Sequence, residues 1–360
     1  MQEKLSPFHV AILVYMIQSG IVMYRLPQML AEHFGTNGWL AIIPMFLLAS
    51  ANILLIGAVY RLGNGVSILV ILEQSIPRFI LYPFYLIMSC VWAMIGCLIS
   101  KHYVLIFQMV AFPTTNPMIF KIALDVLIFL LMTKSIYNIS KATTVFFWML
   151  MWMVLLLFFF YKDFHWSRLT PFIFQGSTLT IDGFFNVYSA FAGYSLCLFL
   201  FPYSDKKTKL IKAVLAGNLI TAIVYIYFCF IAFGFYYYEQ LKTLQFPLLN
   251  LLAYIQLPFV QATENLLYGF FMFSIIITAV MYFWSAKEIS KRMFPISDRL
   301  LSAIILVAAL GFSFIPDVIS EVDQWLSYLG YAELALSLGL PLGLIVLLLI
   351  VRKRGAALNE

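Results

Sequence analysis

The sequence predicts an all-α integral membrane protein with ten transmembrane helices, arranged as a 5+5 inverted repeat. The first observation behind this fold class is composition: 63% of the 360 residues are hydrophobic and 11% are charged, whereas soluble domains carry about 25% charged residues. The second is a series of ten apolar segments whose lengths are close to the ~20 residues that a helix needs to cross a bilayer. The third is an alternation of basic loops along the chain.

Each apolar segment is bounded by turn or charge signals, and together they predict one transmembrane domain over residues 1–360. The predicted spans are 8–33, 38–60, 79–110, 118–137, 142–161, 183–203, 210–236, 259–285, 298–315 and 326–351. The long connections are 62–78, 162–182 and 237–258. The first of these is amphipathic, which indicates a short interfacial helix.

Lysine and arginine are concentrated in alternate loops. The basic set contains Lys206–Lys212 and Lys287–Arg299, whereas the opposite loops contain Lys162, Arg168 and Lys242. The positive-inside rule therefore places both termini in the cytoplasm. The same loops explain the net charge of +6 through orientation and contact with anionic lipids, so they do not indicate a nucleic-acid partner.

Ten spans divide into two halves of five. Because five is odd, the second half begins on the opposite side of the membrane from the first, so the two halves have opposite orientations. This arithmetic predicts an inverted repeat, with repeat one at about 8–161 and repeat two at about 183–351.

The first span of each half carries a glycine followed by a proline: Gly20 with Pro27, and Gly193 with Pro202. Both residue types interrupt helices, and open backbone within a membrane persists where it lines a cavity or is buried in protein. The pattern predicts that helices 1 and 6 are discontinuous around a midplane ligand site. Freed amide and carbonyl groups there can hold the carboxylate and ammonium of a small amphoteric ligand.

The run Gln18–Pro27, followed by Asn37–Leu40, resembles the opening of the endospore germination permeases. These are the B subunits of bacterial spore germinant receptors, within the amino acid–polyamine–organocation (APC) superfamily. Further similar stretches are Ala192-Gly193, Leu198–Pro202, Pro316-Asp317, Tyr328–Tyr331 and Arg352–Arg354. The resemblance implies a LeuT-like APC fold, A and C receptor subunits as partners, and a place in the spore inner membrane.

The sequence departs from the family pattern at two places, which puts a specific ligand in doubt. Residues 261–264 read Gln-Ala-Thr-Glu where the family often shows Glu-Arg-x-Glu, and Val22 stands where a glycine is expected.

In this fold the broken first and sixth helices meet the third and eighth around the ligand. The resemblance therefore implies a ligand site at Ser19, Gly20, Ile21, Cys97, Ala192, Gly193, Tyr194, Ser274 and Thr278. Small-residue helix packing is the alternative interpretation of Cys97, Ser274 and Thr278. We expect an apolar pocket wall and a small, mostly aliphatic ligand.

Ionisable residues within the spans are functional candidates, because burying them unpaired is costly. We expect Arg25, Asp125, Glu264 and Glu333 to line an outer vestibule or gate. Lys101 is a further candidate, although Lys101 and Lys121 are also placed where lysines snorkel to the headgroups.

Arg25 and Glu264 are predicted to face each other across the vestibule. The alternative is that Glu264 is a lone protonatable residue, while Arg25 binds headgroups.

The sequence contains no nucleophile–base pair, phosphate-binding loop or metal-ligand spacing, so it predicts no enzyme, cofactor or metal. The resemblance implies a nutrient-sensing B subunit that binds a small amino acid or similar germinant. Two other classes stay open: a proton- or sodium-coupled amino-acid transporter that uses the same site, and a scaffold or channel that anchors its partners.

Overall fold

The computed structural model describes residues 4–255 and 263–357, and for residues 263, 264 and 351–357 it describes the backbone alone. These ranges form helices joined by turns. The α-helices are α1 Pro7–Gln18, α2 Val22–Phe34, α3 Ile42–Leu62, α4 Ile68–Ser75, α5 Arg78–Ala111, α6 Pro117–Met132, α7 Ile136–Leu156, α8 Ile181–Tyr188, α9 Leu210–Phe235, α10 Tyr238–Thr243, α11 Pro247–Ala253, α12 Thr263–Ser290, α13 Asp298–Phe312 and α14 Ile319–Ala357. Short 3-10 helices are Gly38–Ala41, Leu157–Lys162, Trp166–Leu169, Ser189–Phe191 and Tyr194–Tyr203.

Seven helical segments in the described residues are long and apolar enough to cross a membrane. They are Gly38–Leu62, Arg78–Ala111, Ile136–Lys162, Ile181–Tyr203, Leu210–Phe235, Asn265–Ser290 and Ile319–Ile350. Helices α1 and α2 together form an eighth candidate span, bent by 61° at the residues between them. The chain is therefore a multi-pass membrane protein, and the regular structure of its described residues is all helical.

Helices α6 and α13 lie at the predicted spans 118–137 and 298–315 but contain only 16 and 15 residues. The first of these predictions was too long because its last residues belong to α7. Ser135 caps the N-terminus of α7 by accepting a hydrogen bond from the Asn138 N–H, which ends the preceding turn.

The predicted short helix in 62–78 is α4. It buries the apolar residues Ile68, Leu69, Ile71 and Leu72.

Helix α1 lies at the centre of the bundle, since every residue from Val10 to Gln18 is buried. It approaches α9 closely at Gly217, where an added Cβ would lie 2.5 Å from the Ala11 carbonyl oxygen. Small residues allow such approach between membrane helices. Gly96 of α5 plays the same part against α12, because an added Cβ would lie 3.2 Å from the Ala279 carbonyl oxygen. The residues that follow α1 are therefore held inside the protein.

Candidate functional site

The first interruption of the helical backbone lies between α1 and α2, at Ser19–Ile21. The Gly20 N–H donates to the Gln18 carbonyl oxygen over 2.7 Å instead of continuing the α-helical pattern. Within residues 4–255 and 263–357, the N–H groups of Ile21 and Val22 have no hydrogen-bond acceptor. Helix α2 thus begins with free amide donors, and the N-terminus of a helix carries a partial positive charge.

The second interruption follows α8. A 3-10 turn, Ser189–Phe191, leads to Ala192 with φ of −58° and ψ of 162°, and then to Gly193 with a φ of +94°. A left-handed residue at this point favours glycine. An added Cβ would also lie 2.4 Å from the Cγ2 atom of Ile17. Backbone conformation and close contact with α1 therefore both require glycine at position 193.

Helix α9 ties the two interruptions together. The hydroxyl of Tyr225 lies 2.6 Å from the Gln18 carbonyl oxygen and 3.0 Å from the Ala190 carbonyl oxygen. The Gln18 side chain donates to the Phe191 carbonyl over 2.8 Å and accepts from the Thr221 hydroxyl over 2.7 Å. Buried polar groups that both helices would leave unpaired are satisfied in this way.

Helix α12 satisfies the carbonyl groups that α1 leaves free. The Ser274 hydroxyl donates to the Ser19 carbonyl over 2.7 Å. The Thr278 hydroxyl lies 3.1 Å from the Met16 carbonyl oxygen and 3.2 Å from that of Ile17. The structure thus places two residues of the predicted ligand site against the backbone of the first interruption.

A cavity of about 200 Å³ lies where the two interruptions meet. Its wall includes predicted ligand-site and vestibule residues: Ile21, Arg25, Ala192, Gly193, Tyr194 and Glu333. Other parts of the wall come from α5, α8 and α14: His102, Phe185, Asn186, Tyr188, Asp323, Ser327, Tyr331 and Ser337. The cavity combines apolar surface with carboxylates and hydroxyl groups, which suits a small polar ligand.

Glu333 is the buried carboxylate of this cavity, with 5% of the residue exposed. Its Oε1 atom accepts a hydrogen bond from the Gly193 N–H over 3.0 Å and another from the Tyr282 hydroxyl over 2.5 Å. The Glu333 carboxylate on α14 therefore accepts a hydrogen bond from the amide group that the second interruption exposes.

Two tyrosines are fixed beside Glu333. The hydroxyls of Tyr188 and Tyr194 lie 2.8 Å apart, and the Asn52 amide donates to the Tyr194 hydroxyl over 2.7 Å. The same amide donates to the Ser337 carbonyl over 2.9 Å. Helices α3, α8 and α14 thereby hold one side of the cavity in a fixed arrangement.

An ion pair crosses the other side of the cavity. The guanidinium of Arg25 on α2 lies 3.0 Å from Oδ2 of Asp323 on α14, and its Nε donates to Gln28 over 3.2 Å. The Nε2 atom of His102 on α5 lies 3.4 Å from Oδ1 of Asp323. The ion pair of Arg25 and Asp323 therefore joins α2 to α14, with the His102 ring of α5 beside it.

Sequence reasoning missed Asp323 because the predicted tenth span began at residue 326, which left this carboxylate outside the membrane segments. Helix α14 begins seven residues earlier, at Ile319. The predicted partner of Arg25, Glu264, has a side chain outside the described residues.

Other predicted residues lie away from the cavity. The thiol of Cys97 donates to the Ala309 carbonyl over 3.0 Å, so it faces α13. Asp125 pairs with Lys121, one turn earlier on α6, over 2.5 Å. Ser19 and Ser274 line a separate cavity of about 30 Å³.

Lys101 and Lys121 do not snorkel, since they are only 1% and 0% exposed. That interpretation was wrong because both lysine side chains are buried within the protein, Lys101 against α6 and Lys121 beside an acid of its own helix. Lys101 contacts the Met118 sulfur over 3.3 Å, and Lys121 contacts Asp125.

The chain shares this architecture with known proteins. It superposes on Mhp1, a transporter of the nucleobase-cation-symport-1 family solved in a closed conformation with bromovinylhydantoin bound. The TM-score is 0.67 at 12% identity, over 98% of this chain and 80% of Mhp1. At this identity the likeness concerns the fold alone, which this chain shares with Mhp1.

Sequence relatives identify the family. The chain is 22% identical to the spore germination protein GerQB of Bacillus cereus over 336 residues, which is 92% of each protein. It is 28% identical to spore germination protein A2 of Bacillus subtilis (strain 168) over 180 residues, about half of each. The family model described as spore germination protein matches residues 4–322. The resemblance seen in Gln18–Pro27 is therefore confirmed, and the chain belongs to the spore germination protein family.

Proposed function

We propose that this chain is the nutrient-sensing B subunit of a spore germinant receptor and binds a small amino acid in the cavity between the two interruptions. One observation carries the proposal: Ile21 and Val22 line the cavity, and their N–H groups have no acceptor within residues 4–255 and 263–357. A helix N-terminus with free amides favours a carboxylate. The carboxylate of a free amino acid fits this position.

The finer fold belongs to the same proposal: ten spans in a 5+5 inverted repeat, with helices 1 and 6 discontinuous. Two features support it. The interruptions at 19–21 and 189–193 fall in the first span of each half. The short helices α6 and α13 both fall at the fourth span of their halves. Matching irregularities are what an inverted repeat predicts.

The names of the relatives support a role in germination, and A and C receptor subunits are the partners that we propose. We also propose that the chain lies in the spore inner membrane with both termini in the cytoplasm. The exposed lysines Lys206, Lys207 and Lys209 would then meet anionic lipid headgroups.

A proton- or sodium-coupled amino-acid transporter is the second candidate function, because the fold resembles that of the transporter Mhp1. A receptor needs a ligand to shift a conformational equilibrium, whereas a transporter must also release the ligand on the other side.

Two assays test the proposal. Spores that lack the gene should lose their response to at least one amino acid, measured by loss of optical density, and the native gene should restore it. The purified chain in proteoliposomes should bind that amino acid without concentrating it. Concentrative uptake driven by a proton or sodium gradient would identify a transporter instead, and a normal response of the deletion strain to every amino acid would contradict the receptor role.

A further inference from the structure

The buried carboxylate of Glu333 stands where the second interruption opens its backbone. Its Oε1 atom is used twice, by the Gly193 N–H and by the Tyr282 hydroxyl. Its Oε2 atom has no hydrogen-bond donor within residues 4–255 and 263–357, although the residue lines the cavity. Because the residue is 5% exposed and lines the cavity, this oxygen is open to a donor that enters the cavity, and a cation is the strongest donor for a carboxylate.

The other two carboxylates of the cavity wall, Asp323 and Glu32, are either already paired or exposed. Asp323 already pairs with Arg25, the arginine of the cavity wall. Glu32 is exposed and accepts a hydrogen bond from the Gln28 side chain over 2.7 Å. Glu333 therefore remains as the buried acid with an available oxygen.

The neighbourhood of Glu333 also favours a cation. Tyr188 and Tyr194 line the same cavity, and their hydroxyls bond each other over 2.8 Å. Tyrosine rings attract cations through their electron-rich faces, and hydroxyl oxygens accept hydrogen bonds from ammonium groups.

From these contacts we propose that Glu333 binds the ammonium group of the ligand, and that the site takes primary amines, with or without a carboxylate. This inference rests on the proposed function, because it concerns the same cavity. The proposal also gives the two interruptions different roles in ligand binding. The Gly193 amide orients Glu333, whereas the amides of Ile21 and Val22, which have no acceptor in the described part of the chain, bind the ligand.

One substitution separates the charge of Glu333 from its hydrogen bonds. In Glu333→Gln, the side-chain oxygen still accepts from the Gly193 N–H and the Tyr282 hydroxyl, so the interruption keeps its hydrogen bonds while the negative charge is lost. Glu321→Gln is the matched control: the same change on the same helix, at an exposed residue whose Oε2 accepts from the Asp317 N–H.

The experiment uses the full chain in lipid nanodiscs and measures binding by tryptophan fluorescence. The probes are the twenty free amino acids, their amides, and their N-acetyl derivatives. We expect at least one free amino acid and its amide to bind, and its N-acetyl derivative to bind about 10- to 100-fold more weakly, since a charge-assisted hydrogen bond is lost. Glu333→Gln should weaken binding of the amine probes by a similar factor, and Glu333→Asp should weaken it by less. Glu321→Gln should bind these probes with the affinity of the native chain.

Three results would overturn the inference: equal affinity for an amino acid and its N-acetyl derivative, unchanged affinity in Glu333→Gln, or binding of no amine probe. Thermal unfolding in the same nanodiscs shows whether Glu333→Gln is folded. If it is not, the comparison of amide and N-acetyl probes on the native chain decides alone. Failure of the receptor role is seen separately, as unaltered germination of the deletion strain while amine binding persists.

Discussion

Gly20 and Gly193 occupy comparable places in the two interruptions, but the structure requires glycine only at position 193. At Gly193, φ is +94° and an added Cβ would meet Ile17 at 2.4 Å. At Gly20 the nearest atoms to an added Cβ are 4.0 Å away, and its φ lies outside the left-handed region. The first interruption therefore tolerates a methyl group, although both glycines were predicted as ligand-site residues.

We accordingly expect Gly193→Ala to abolish the germination response or raise the half-maximal amino-acid concentration more than tenfold. Left-handed backbone costs a non-glycine residue roughly 1–2 kcal/mol, and the contact with Ile17 adds to it. Gly20→Ala should stay within about twofold of the native chain, a range well under 1 kcal/mol. The measurement is a dose–response of spores, with abundance checked by immunoblot. Equal effects at both positions would contradict this distinction.

The Arg25–Asp323 pair gives a second prediction for single residues. Arg25→Gln and Asp323→Asn should each shift the half-maximal ligand concentration, and the double variant should shift it by less than the sum. Because the two side chains are 37% and 24% exposed, water screens the pair, and we expect a coupling of about 0.5–1 kcal/mol.

The control cycle combines Arg25→Gln with Glu321→Gln, which should be additive because Glu321 bonds the Asp317 N–H instead. A coupling near zero for Arg25 with Asp323 would show that the ion pair does not contribute to the response.

At the scale of helices, Gly20 and Gly193 mark in the sequence the two places where the described backbone departs from α-helix, whereas Pro27 and Pro202 lie inside the helical segments that follow. The residues that support these two interruptions were not predictable in this way. Ser274 and Thr278 were predicted beside the ligand, yet their hydroxyls bond the carbonyl groups of Ser19, Met16 and Ile17. Sequence spacing identifies the helix face that meets α1, but it cannot tell a ligand contact from a backbone contact on that face.

Burial within the bundle was also hidden from the sequence. Cys97 and Gly96 are neighbours on α5, yet Cys97 faces α13 and Gly96 faces α12. Asp125 and Lys121 form an ion pair through Oδ2 of Asp125, one turn apart on α6. Such pairs form when two charged residues share a helix face, which removes the need for a vestibule around them.

Helix α9 gives a prediction at this scale. Tyr225→Phe removes the hydroxyl that contacts the carbonyl groups of Gln18 and Ala190. A buried acceptor left without a donor costs about 1–3 kcal/mol, so the thermal unfolding midpoint of the purified chain should fall by several degrees.

Tyr227→Phe serves as its control on the same helix, because the Tyr227 hydroxyl makes no hydrogen bond in the part of the chain that the structure describes. Equal midpoints for the two variants would mean that α9 does not hold the interruptions together.

For the whole molecule, the distribution of charge and the position of the cavity make separate contributions. The lysines Lys206, Lys207 and Lys209 are exposed, and none of them lines the cavity. Each basic residue near an anionic membrane surface contributes about 1 kcal/mol to its attraction, and basic loops set the orientation of neighbouring spans. In the function that we propose, ligand affinity depends instead on residues at the junction of α2, α8 and α14.

Replacing Lys206, Lys207 and Lys209 with glutamine should therefore lower the abundance of correctly oriented chains and leave their half-maximal ligand concentration within about twofold of the native value, well under 1 kcal/mol. Orientation is read from protease access to terminal tags in sealed vesicles, and sensitivity from spore dose–response curves scaled to abundance. The control replaces Lys162 and Lys242, which lie in the opposite loops, and should leave orientation unchanged. A large shift in ligand sensitivity at unchanged abundance would mean that the loop of Lys206 to Lys209 takes part in signalling, because its charge would then act on the equilibrium between ligand-free and ligand-bound conformations.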